Sequence, residues 1–368
     1  MSGFKASHSR TTRLLAAGAI LGLASLGLSA CSGSASGGDA ANGDIGVSLI
    51  VKTTTNPFFV AMQDGASKAS ETSGVDLKLA AGKSDGDEAT QIQAIENAIS
   101  NGDQGILITP NGPSVVDALK KAQDAGLYVI ALDTPPDPAD AADITFATDN
   151  FAAGEQIGQW TAGQLDGKKA VIALVDLFDD KLVSVDYSRD QGFLTGMGID
   201  TADEKVNGDE AKSGKYTGGK GGEYEIVGNQ ASQGAEDGGR TAMETLLAAN
   251  PDINVVYTIN EPAAAGAYEA LKSAGKEKDA LVVSIDGGCS GVANVKDGII
   301  DATAQQYPVK MAELGVEAIV ELAKTGEKPQ ASEGLDFFNT GSKLVTETPV
   351  SGQESIDADE ASKICWGE

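Results

Sequence analysis

Short apolar runs alternate with stretches of helical period along most of this chain, and this alternation constrains the fold more than any other feature. The runs predict strands at 45–51, 75–80, 105–109 and 128–132, and the stretches between them predict helices at 58–70, 88–100 and 115–125. The same alternation resumes between residues 170 and 285. A strand followed by a helix, repeated, produces a parallel sheet with helices on both faces. We therefore predict an α/β protein with two doubly wound, Rossmann-like lobes.

The first thirty residues have the pattern of an export signal. Three cations (Lys5, Arg10 and Arg13) precede an apolar run at 14–28 that is shorter than the roughly 20 residues of a membrane-spanning helix. Small residues then lead to Cys31, and this junction resembles the bacterial lipobox. We expect residues 1–30 to be removed, Cys31 to be lipidated, and residues 31–43 to form a flexible tether. A plain signal peptide with an incidental cysteine is the alternative.

The charge of the chain excludes some partners. Removal of residues 1–30 takes away three of 27 cations and none of 54 acids, which leaves 24 against 54 and a net charge of −30. Such a surface repels nucleic acid and anionic lipid headgroups, so no nucleic-acid partner is expected. Acidity of this kind is also typical of a solvated exported surface.

Histidine and cysteine narrow the chemistry further. The one histidine, His8, lies in the predicted signal, so the exported chain has neither a Ser-His-Asp or Cys-His pair nor a histidine metal ligand. We expect no metal and no cofactor. Cys289 and Cys365 remain beside Cys31. Outside the cytoplasm such a pair favours a disulfide over a metal or redox site.

Polar and aromatic residues follow the predicted strands. Ligands of open parallel sheets lie beyond the carboxyl ends of the strands. The residues found there are Lys52, Thr53 to Thr55, Asn56, Phe58, Phe59, Asp133, Asn260, Glu261 and Asp286. Carboxylates and amides bind hydroxyl groups in fixed directions, and an aromatic face covers the C–H patch of a sugar ring. The pattern therefore favours a sugar site.

Seven short motifs, in order along residues 44–350, resemble the type I periplasmic-binding family and, within it, the ribose- and fructose-binding branch. They are Asn56-Pro57-Phe58-Phe59, Ala131-Leu132-Asp133-Thr134, Ala147-Thr148-Asp149-Asn150, Arg189-Asp190-Gln191-Gly192-Phe193, Asn260-Glu261-Pro262, Ser284-Ile285-Asp286-Gly287-Gly288 and Gln305-Gln306-Tyr307-Pro308. The resemblance implies two similar lobes joined by a three-segment hinge that closes over the ligand. It assigns 44–149 and about 307–340 to the first lobe, and 150–306 and about 341–368 to the second.

The resemblance also implies roles for particular residues. The side chains expected to hydrogen-bond sugar hydroxyls are Asn56, Asp133, Arg189, Asn260, Asp286 and Gln306. One of Phe58 and Phe59 is expected to face the ligand and the other the core. Asp133 has an alternative role as a turn cap, Arg189 as a surface cation, and Gln306 depends on a register that Gln305 could also satisfy.

Two positions depart from the ribose-binding pattern. By this resemblance, ribose-binding proteins carry a serine at the position of Lys52 and an arginine at the position of Thr134. A cation has therefore moved across the cleft. The combination with Arg189-Asp190-Gln191 and Cys289 looks closer to fructose-import binding proteins, which places fructose ahead of ribose. The ending Cys365-Trp366-Gly367 is similar to that branch, and by this resemblance we predict a Cys289–Cys365 disulfide.

Other chemistries fit the sequence less well. Gly214 to Gly221 lacks the Ser or Thr of a phosphate loop, which disfavours nucleotide binding. Asp85-Gly86-Asp87-Glu88 lacks the ligand spacing of a calcium loop, so we interpret it as a solvated helix start. A glycosidase using Asp133 and Asp286 is the enzyme alternative. A sugar-sensing receptor without transport and a transcription regulator of this fold are the alternatives that are not enzymes.

We expect an exported monomer that is not an enzyme. It is expected to be lipid-anchored to the outer face of the cytoplasmic membrane and to serve the permease and ATPase of an ABC importer.

Overall fold

Two mostly parallel sheets, each covered by helices on both faces, make up the computed structural model, which describes residues 45–367. The strands are β1 Ile45–Val51, β2 Val75–Ala81, β3 Gly105–Ile108, β4 Tyr128–Leu132, β5 Ile144–Ala147, β6 Ala170–Asp176, β7 Ser213–Tyr216, β8 Gly222–Ala231, β9 Val255–Thr258, β10 Leu281–Asp286, β11 Ala302–Gln305, β12 Phe338–Asn339 and β13 Lys343–Thr346. The helices are α1 Pro57–Ser73, α2 Glu88–Asn101, α3 Val116–Asp124, α4 Asn150–Leu165, α5 Ser184–Met197, α6 Glu236–Ala249, α7 Glu261–Ser273, α8 Cys289–Lys296, α9 Pro308–Thr325 and α10 Ala358–Ala361. The predicted α/β class with parallel central sheets is confirmed.

The sheet orders define two lobes. The first lobe is a six-stranded parallel sheet, ordered β12-β5-β4-β3-β1-β2, with α1, α2, α3 and α9 packed on it. The second lobe is a seven-stranded sheet, ordered β13-β11-β10-β9-β6-β8-β7, in which only the edge strands β13 and β7 run antiparallel. Four apolar clusters, one on each face of each sheet, form the core.

The chain passes between the two sheets three times, after β5, after β11 and after β12. The first and third crossings are bonded to each other, since the Thr148 hydroxyl donates to the Gly341 carbonyl at 3.3 Å and the Asp149 N–H donates to Asn339 Oδ1 at 3.4 Å. Contacts join the described residues into one compact unit, so the predicted lobe boundaries stay a prediction.

Local sequence explains where the first helix begins and ends. Asn56 caps α1 by accepting the Phe58 N–H at 2.9 Å, Pro57 takes the first helical position, and Gly74 ends the helix with φ +74°. The strand before it, β1, is buried almost throughout because it lies between β2 and β3. This geometry places Lys52 and Asn56 at the carboxyl edge of the first sheet.

Two glycines bring α5 against α4. A Cβ at Gly154 would collide with the Arg189 carbonyl, and one at Gly192 would collide with the Phe151 carbonyl. The close approach that these glycines permit sets Arg189 beside the start of α4.

The polar, glycine-rich composition of residues 201–222 predicts an exposed loop insertion, and the structure differs from this prediction. The segment contains the edge strand β7, which pairs antiparallel with β8, and it buries Glu210. Its glycine and polar content hid this strand, because an edge strand needs apolar residues on one face only.

The predicted signal at 1–30, lipid site at Cys31 and tether at 31–43 lie outside the described residues. No helix within residues 45–367 is both long and apolar enough to span a membrane.

The disulfide between Cys289 and Cys365 is present, as the resemblance implied, with its Cα atoms 4.9 Å apart and a sequence separation of 76. It ties the start of α8 to the tail that follows α10.

Replacing Cys365 by serine should lower the free energy of unfolding by about 2–4 kcal/mol, because the unfolded chain regains the entropy of a long loop. Urea denaturation followed by circular dichroism would measure the loss. The matched control is Cys289→Ser, which should lose the same amount, and the double variant should lose no more. A reductant that destabilises the variants as much as the native protein would contradict this account.

Candidate functional site

The carboxyl ends of strands from both sheets border a small cavity of about 30 Å³. Its walls are formed by Lys52, Asn56, Phe58, Phe59, Asp85, Asp133, Leu177, Val185, Arg189, Ile259, Asn260, Asp286 and Gln306. A larger cavity of about 580 Å³ adjoins it and shares Asn56, Asp85 and Asp286 with it. Nine of the ten predicted ligand-binding residues therefore lie around one small space, although their role as ligand contacts stays a prediction.

Arg189 is the central cation of this cavity. Its guanidinium is 4% exposed, and it donates from Nε to Asn150 Oδ1 at 2.8 Å and from Nη1 to the Ile259 carbonyl at 3.0 Å. Asp133 Oδ1 lies 3.7 Å from Nη2 and Asp286 Oδ1 lies 3.9 Å from Nη1. Arg189 is therefore not a surface cation. It lies between one carboxylate from each lobe, and two further partners fix its orientation.

Asp133 supplies a buried acceptor from the first lobe. Its backbone has φ +64°, a left-handed conformation that residues other than glycine seldom adopt. The Thr134 hydroxyl donates to its Oδ2 at 2.7 Å, whereas its Oδ1 has no hydrogen-bond partner among the described residues. A buried carboxylate oxygen in this situation is ready to accept a hydroxyl from a ligand.

Asp286 and Gln306 form the corresponding pair from the second lobe. Gln306 donates from Nε2 to Asp286 Oδ1 at 2.9 Å, and its own Oε1 is buried without a partner in residues 45–367. Burial raises the pKa of Asp286 to about 7, although Arg189 opposes the rise. Gln306, and not its neighbour Gln305, borders the cavity. Gln305 lies in β11 and donates to the Gly287 carbonyl at 2.9 Å.

The two asparagines serve local structure as well as the cavity. Asn260 Oδ1 accepts the Ala263 N–H at 3.0 Å, and Nδ2 donates to the Gly234 carbonyl at 3.1 Å. Asn56 Oδ1 caps α1 in the same way. A sugar would have to share these amides with the helix caps, which the sequence pattern alone did not indicate.

Lys52 and the two phenylalanines complete the first-lobe wall. Lys52 is 3% exposed. Burial raises the pKa of Asp85, and Lys52 lies close enough to oppose this rise in part. The rings of Phe58 and Phe59 meet edge to face at 5.2 Å. Both rings border the cavity and both belong to the core, so the expected division of one ring to the ligand and one to the core stays a prediction.

Of the ten predicted ligand-binding residues, Thr134 is the one that does not border the small cavity. It lies with Pro135 and Ser184 around a separate cavity, and its link to the site is the hydrogen bond to Asp133. Asp85 was missed as a wall residue because its acidic stretch is typical of a helix start. Asp87 does cap α2, accepting the Thr90 N–H at 3.2 Å.

A cluster of buried carboxyl groups lies behind the cavity in the second lobe. Burial raises the pKa of Asp176 to about 8, with a further rise from the neighbouring Asp186, and raises the pKa of Asp190 well above its ordinary value. Asn229 Nδ2 donates to Asp176 Oδ2 at 2.9 Å and to Asp190 Oδ2 at 3.3 Å. Because both pKa values are raised, Asp176 and Asp190 are each expected to keep a proton at neutral pH.

Two more acids support the strand-end loops. Asp186 accepts the backbone N–H groups of Leu177 and Phe178 at 2.8 and 3.0 Å, and burial raises its pKa to about 6. Glu261, whose pKa burial raises to about 8, accepts the N–H groups of Gly287 and Gly288 at 2.8 and 3.0 Å. Within residues 45–367, no group of three or more His, Cys, Asp or Glu residues is arranged to hold a metal ion.

Comparison with known proteins identifies similar proteins that are all solute-binding proteins. Residues 45–328 match the family model described as periplasmic binding protein domain. The ribose import binding protein RbsB of Salmonella typhimurium is 30% identical over 292 residues, which cover 79% of this chain and 88% of that protein. The corresponding protein of Bacillus subtilis is 30% identical over 285 residues, covering 77% of this chain and 83% of that protein.

A solved structure is similar along the same length. It is an ABC transporter solute binding protein from Agrobacterium vitis with bound D-fucose, 27% identical, with a TM-score of 0.70 over 87% of this chain and 100% of that one. The fold described above is thus shared with this solute-binding protein.

The raised pKa values predict that stability falls as pH rises. The unfolded aspartate releases its proton near pH 3.8, whereas Asp176 in the folded chain releases it near 8, so between these values the folded state holds more protons. Each such group should lower the free energy of unfolding by up to about 1.4 kcal/mol per pH unit in this window. Urea denaturation between pH 5 and 8.5 would measure the slope.

Asp176→Asn should flatten that slope and raise stability at pH 8.5, because the amide keeps the shape of the side chain and needs no proton. Asp64→Asn, at an exposed position of α1, is the matched control and should leave the slope unchanged. An unchanged slope in Asp176→Asn would refute the raised pKa of Asp176.

Proposed function

Because the chain belongs to the periplasmic binding protein family, we propose that it captures a monosaccharide outside the cytoplasm and delivers it to an ABC importer. In this proposal the ligand lies between the two lobes, at the cavity that Arg189 shares with Asp133 and Asp286. The chain acts by binding and not by catalysis.

The observation that carries the proposal is the arrangement around Arg189. A guanidinium donor, two phenylalanine rings, and the acceptors Asp133 Oδ1 and Gln306 Oε1, which have no hydrogen-bond partner within residues 45–367, border one space. Sugars have both hydroxyl donors and acceptors in fixed directions and a patch of C–H groups on the ring, and this set of protein groups matches both. The relatives support the same ligand class, since their names state ribose and the bound sugar of the solved structure is D-fucose.

Within the monosaccharides we rank fructose ahead of ribose or another pentose or hexose. The reason is the pair of departures at Lys52 and Thr134. Lys52 adds a cation to the first-lobe wall, and Thr134 donates to Asp133 in place of an arginine. A cation at a new position favours a different set of hydroxyl orientations from those of ribose.

Binding also requires movement of the lobes. Pockets that enclose small ligands usually measure about 300–1,000 Å³, whereas the small cavity measures about 30 Å³. A sugar therefore enters when the lobes separate about the three crossings, or extends into the adjoining cavity of about 580 Å³. Contacts from both lobes to one ligand then stabilise the closed form, which is the form presented to the permease.

The remaining parts of the proposal concern location and partners. We propose lipidation of Cys31, attachment to the outer face of the cytoplasmic membrane, and action as a monomer with the permease and ATPase of a sugar importer. The acidic surface, with 54 Asp and Glu against 27 Lys and Arg, disfavours nucleic acid as a partner.

Titration calorimetry with fructose, ribose, allose, mannose, xylose and glucose should find one sugar that binds with a dissociation constant near the micromolar range, which corresponds to about −8 kcal/mol. Fructose is expected to bind most tightly. Asp133→Asn should weaken that sugar at least about ten-fold, because an amide is a weaker acceptor than a carboxylate and disturbs the pairing with Arg189.

Asp64→Asn on the exposed face of α1 is the control and should bind as the native protein does. Absence of binding by every sugar would refute the proposal. Turnover of nitrophenyl glycosides that Asp133→Asn abolishes would replace it with a glycosidase.

Replacing Cys31 by serine should release the protein from the membrane into the medium, because a lipid anchor requires the thiol. Labelling with radioactive palmitate, followed by fractionation, would measure the change. Serine at the neighbouring small residue, Ala30→Ser, is the control and should leave the protein anchored. Equal labelling of native protein and Cys31→Ser would contradict the anchor.

A further inference from the structure

The C-terminal tail, Cys365–Gly367, begins in the second lobe. It follows α10, whose Ala358 and Ala361 are buried in the core of that lobe. The disulfide fixes Cys365 to the start of α8, and the Cys289 N–H donates to the Trp366 carbonyl at 2.9 Å. The main chain of the tail is thus bound to the second lobe through one covalent bond and one hydrogen bond.

The side chain of Trp366 lies in the other lobe. It is 8% exposed and belongs to the apolar core formed by β1, α1 and α9 of the first lobe. Its ring contacts Phe58 edge to face, with centroids 5.2 Å apart and planes at 82°. A Cβ at Gly367 would lie 3.4 Å from the Cβ of Pro57. The tail therefore joins the two lobes at a fourth place, beside the start of α1.

The indole also holds the crossing between β11 and α9. Trp366 donates from Nε1 to the Gln306 carbonyl at 2.7 Å. The Gln306 side chain in turn donates to Asp286 at 2.9 Å. Fixing the main chain of Gln306 therefore fixes the direction in which its amide enters the cavity.

We propose that this tail is an interlobe latch in which Trp366 is a positioning residue for the binding cavity. One indole packs on Phe58 and bonds Gln306, two residues that border the cavity from different elements. Chain termini are usually poorly ordered unless they are tied down, and the Cys289–Cys365 disulfide supplies the tie. The latch therefore depends on the oxidised state of that bond. The inference rests on the proposed function, since it concerns the cavity assigned to the sugar.

The chain offers a matched pair of variants. Trp366→Phe keeps an aromatic ring and removes the indole N–H. Trp160→Phe makes the same change at the other tryptophan, which is fully buried in the second lobe and donates from Nε1 to the Thr348 carbonyl at 2.9 Å. Both variants should lower the melting temperature, because each loses a buried hydrogen bond.

Only Trp366→Phe should weaken the sugar that the native protein binds, by about five-fold, the effect of one lost neutral hydrogen bond at the site. Reduction of the disulfide in the native protein should weaken it in the same direction. Calorimetry under oxidising and reducing conditions would measure both. Unchanged affinity in Trp366→Phe, or an equal loss in Trp160→Phe, would overturn the latch.

Amide hydrogen exchange without any sugar separates this inference from the proposed function. Trp366→Phe should speed exchange at the amides of 58–60 and 306–307, whereas Trp160→Phe should not. A native protein that binds no sugar ends the proposed function, and the exchange pattern still decides whether the tail positions these segments. Cys365→Ser carries the same comparison if Trp366→Phe does not fold, because it frees the tail with the indole intact.

Discussion

The buried guanidinium of Arg189 is the interaction on which the rest of the site depends. A charge removed from water is tolerated only when it is paired and hydrogen-bonded. Asn150 and the Ile259 carbonyl satisfy two of its donors, and Asp133 and Asp286 approach it from opposite lobes. Its position follows from backbone packing, because glycines in α4 and α5 let the two helices touch. The same cation thus links helix packing, the carboxyl ends of two sheets and the proposed ligand.

Acidic side chains around this cation create a second constraint. Asp176, Asp186, Asp190, Glu261 and Asp286 are all buried, and burial raises the pKa of each. One arginine and Lys52 do not neutralise so many carboxylates, so the cluster retains protons near neutral pH. A protonated carboxyl group both donates and accepts a hydrogen bond. It can therefore bond polar neighbours inside the packed lobe without adding a buried charge.

The sequence predicted the regular parts of this structure well and the long-range parts poorly. The bounds of β1 and β4 agree with the apolar runs, since buried central strands are apolar throughout. Arg189 was found through its motif, whereas the start of α5 at Ser184 was not, because its first turns bury Asp186 and Asp190 and so lack an apolar period. Asp85 and Trp366 border the site through tertiary contacts that no local pattern records, and β7 was hidden within a polar segment.

The central claim is that a sugar is bound between Asp133 and Asp286 with Arg189 beside it. The most direct test is a crystal structure of the protein with the sugar that calorimetry selects. The account predicts a ring hydroxyl within hydrogen-bond distance of Asp133 Oδ1 and of the Arg189 guanidinium, with contacts from both lobes. A sugar that lies wholly in the adjoining cavity beside Glu236 and Asn294, without contact to Arg189, would contradict it.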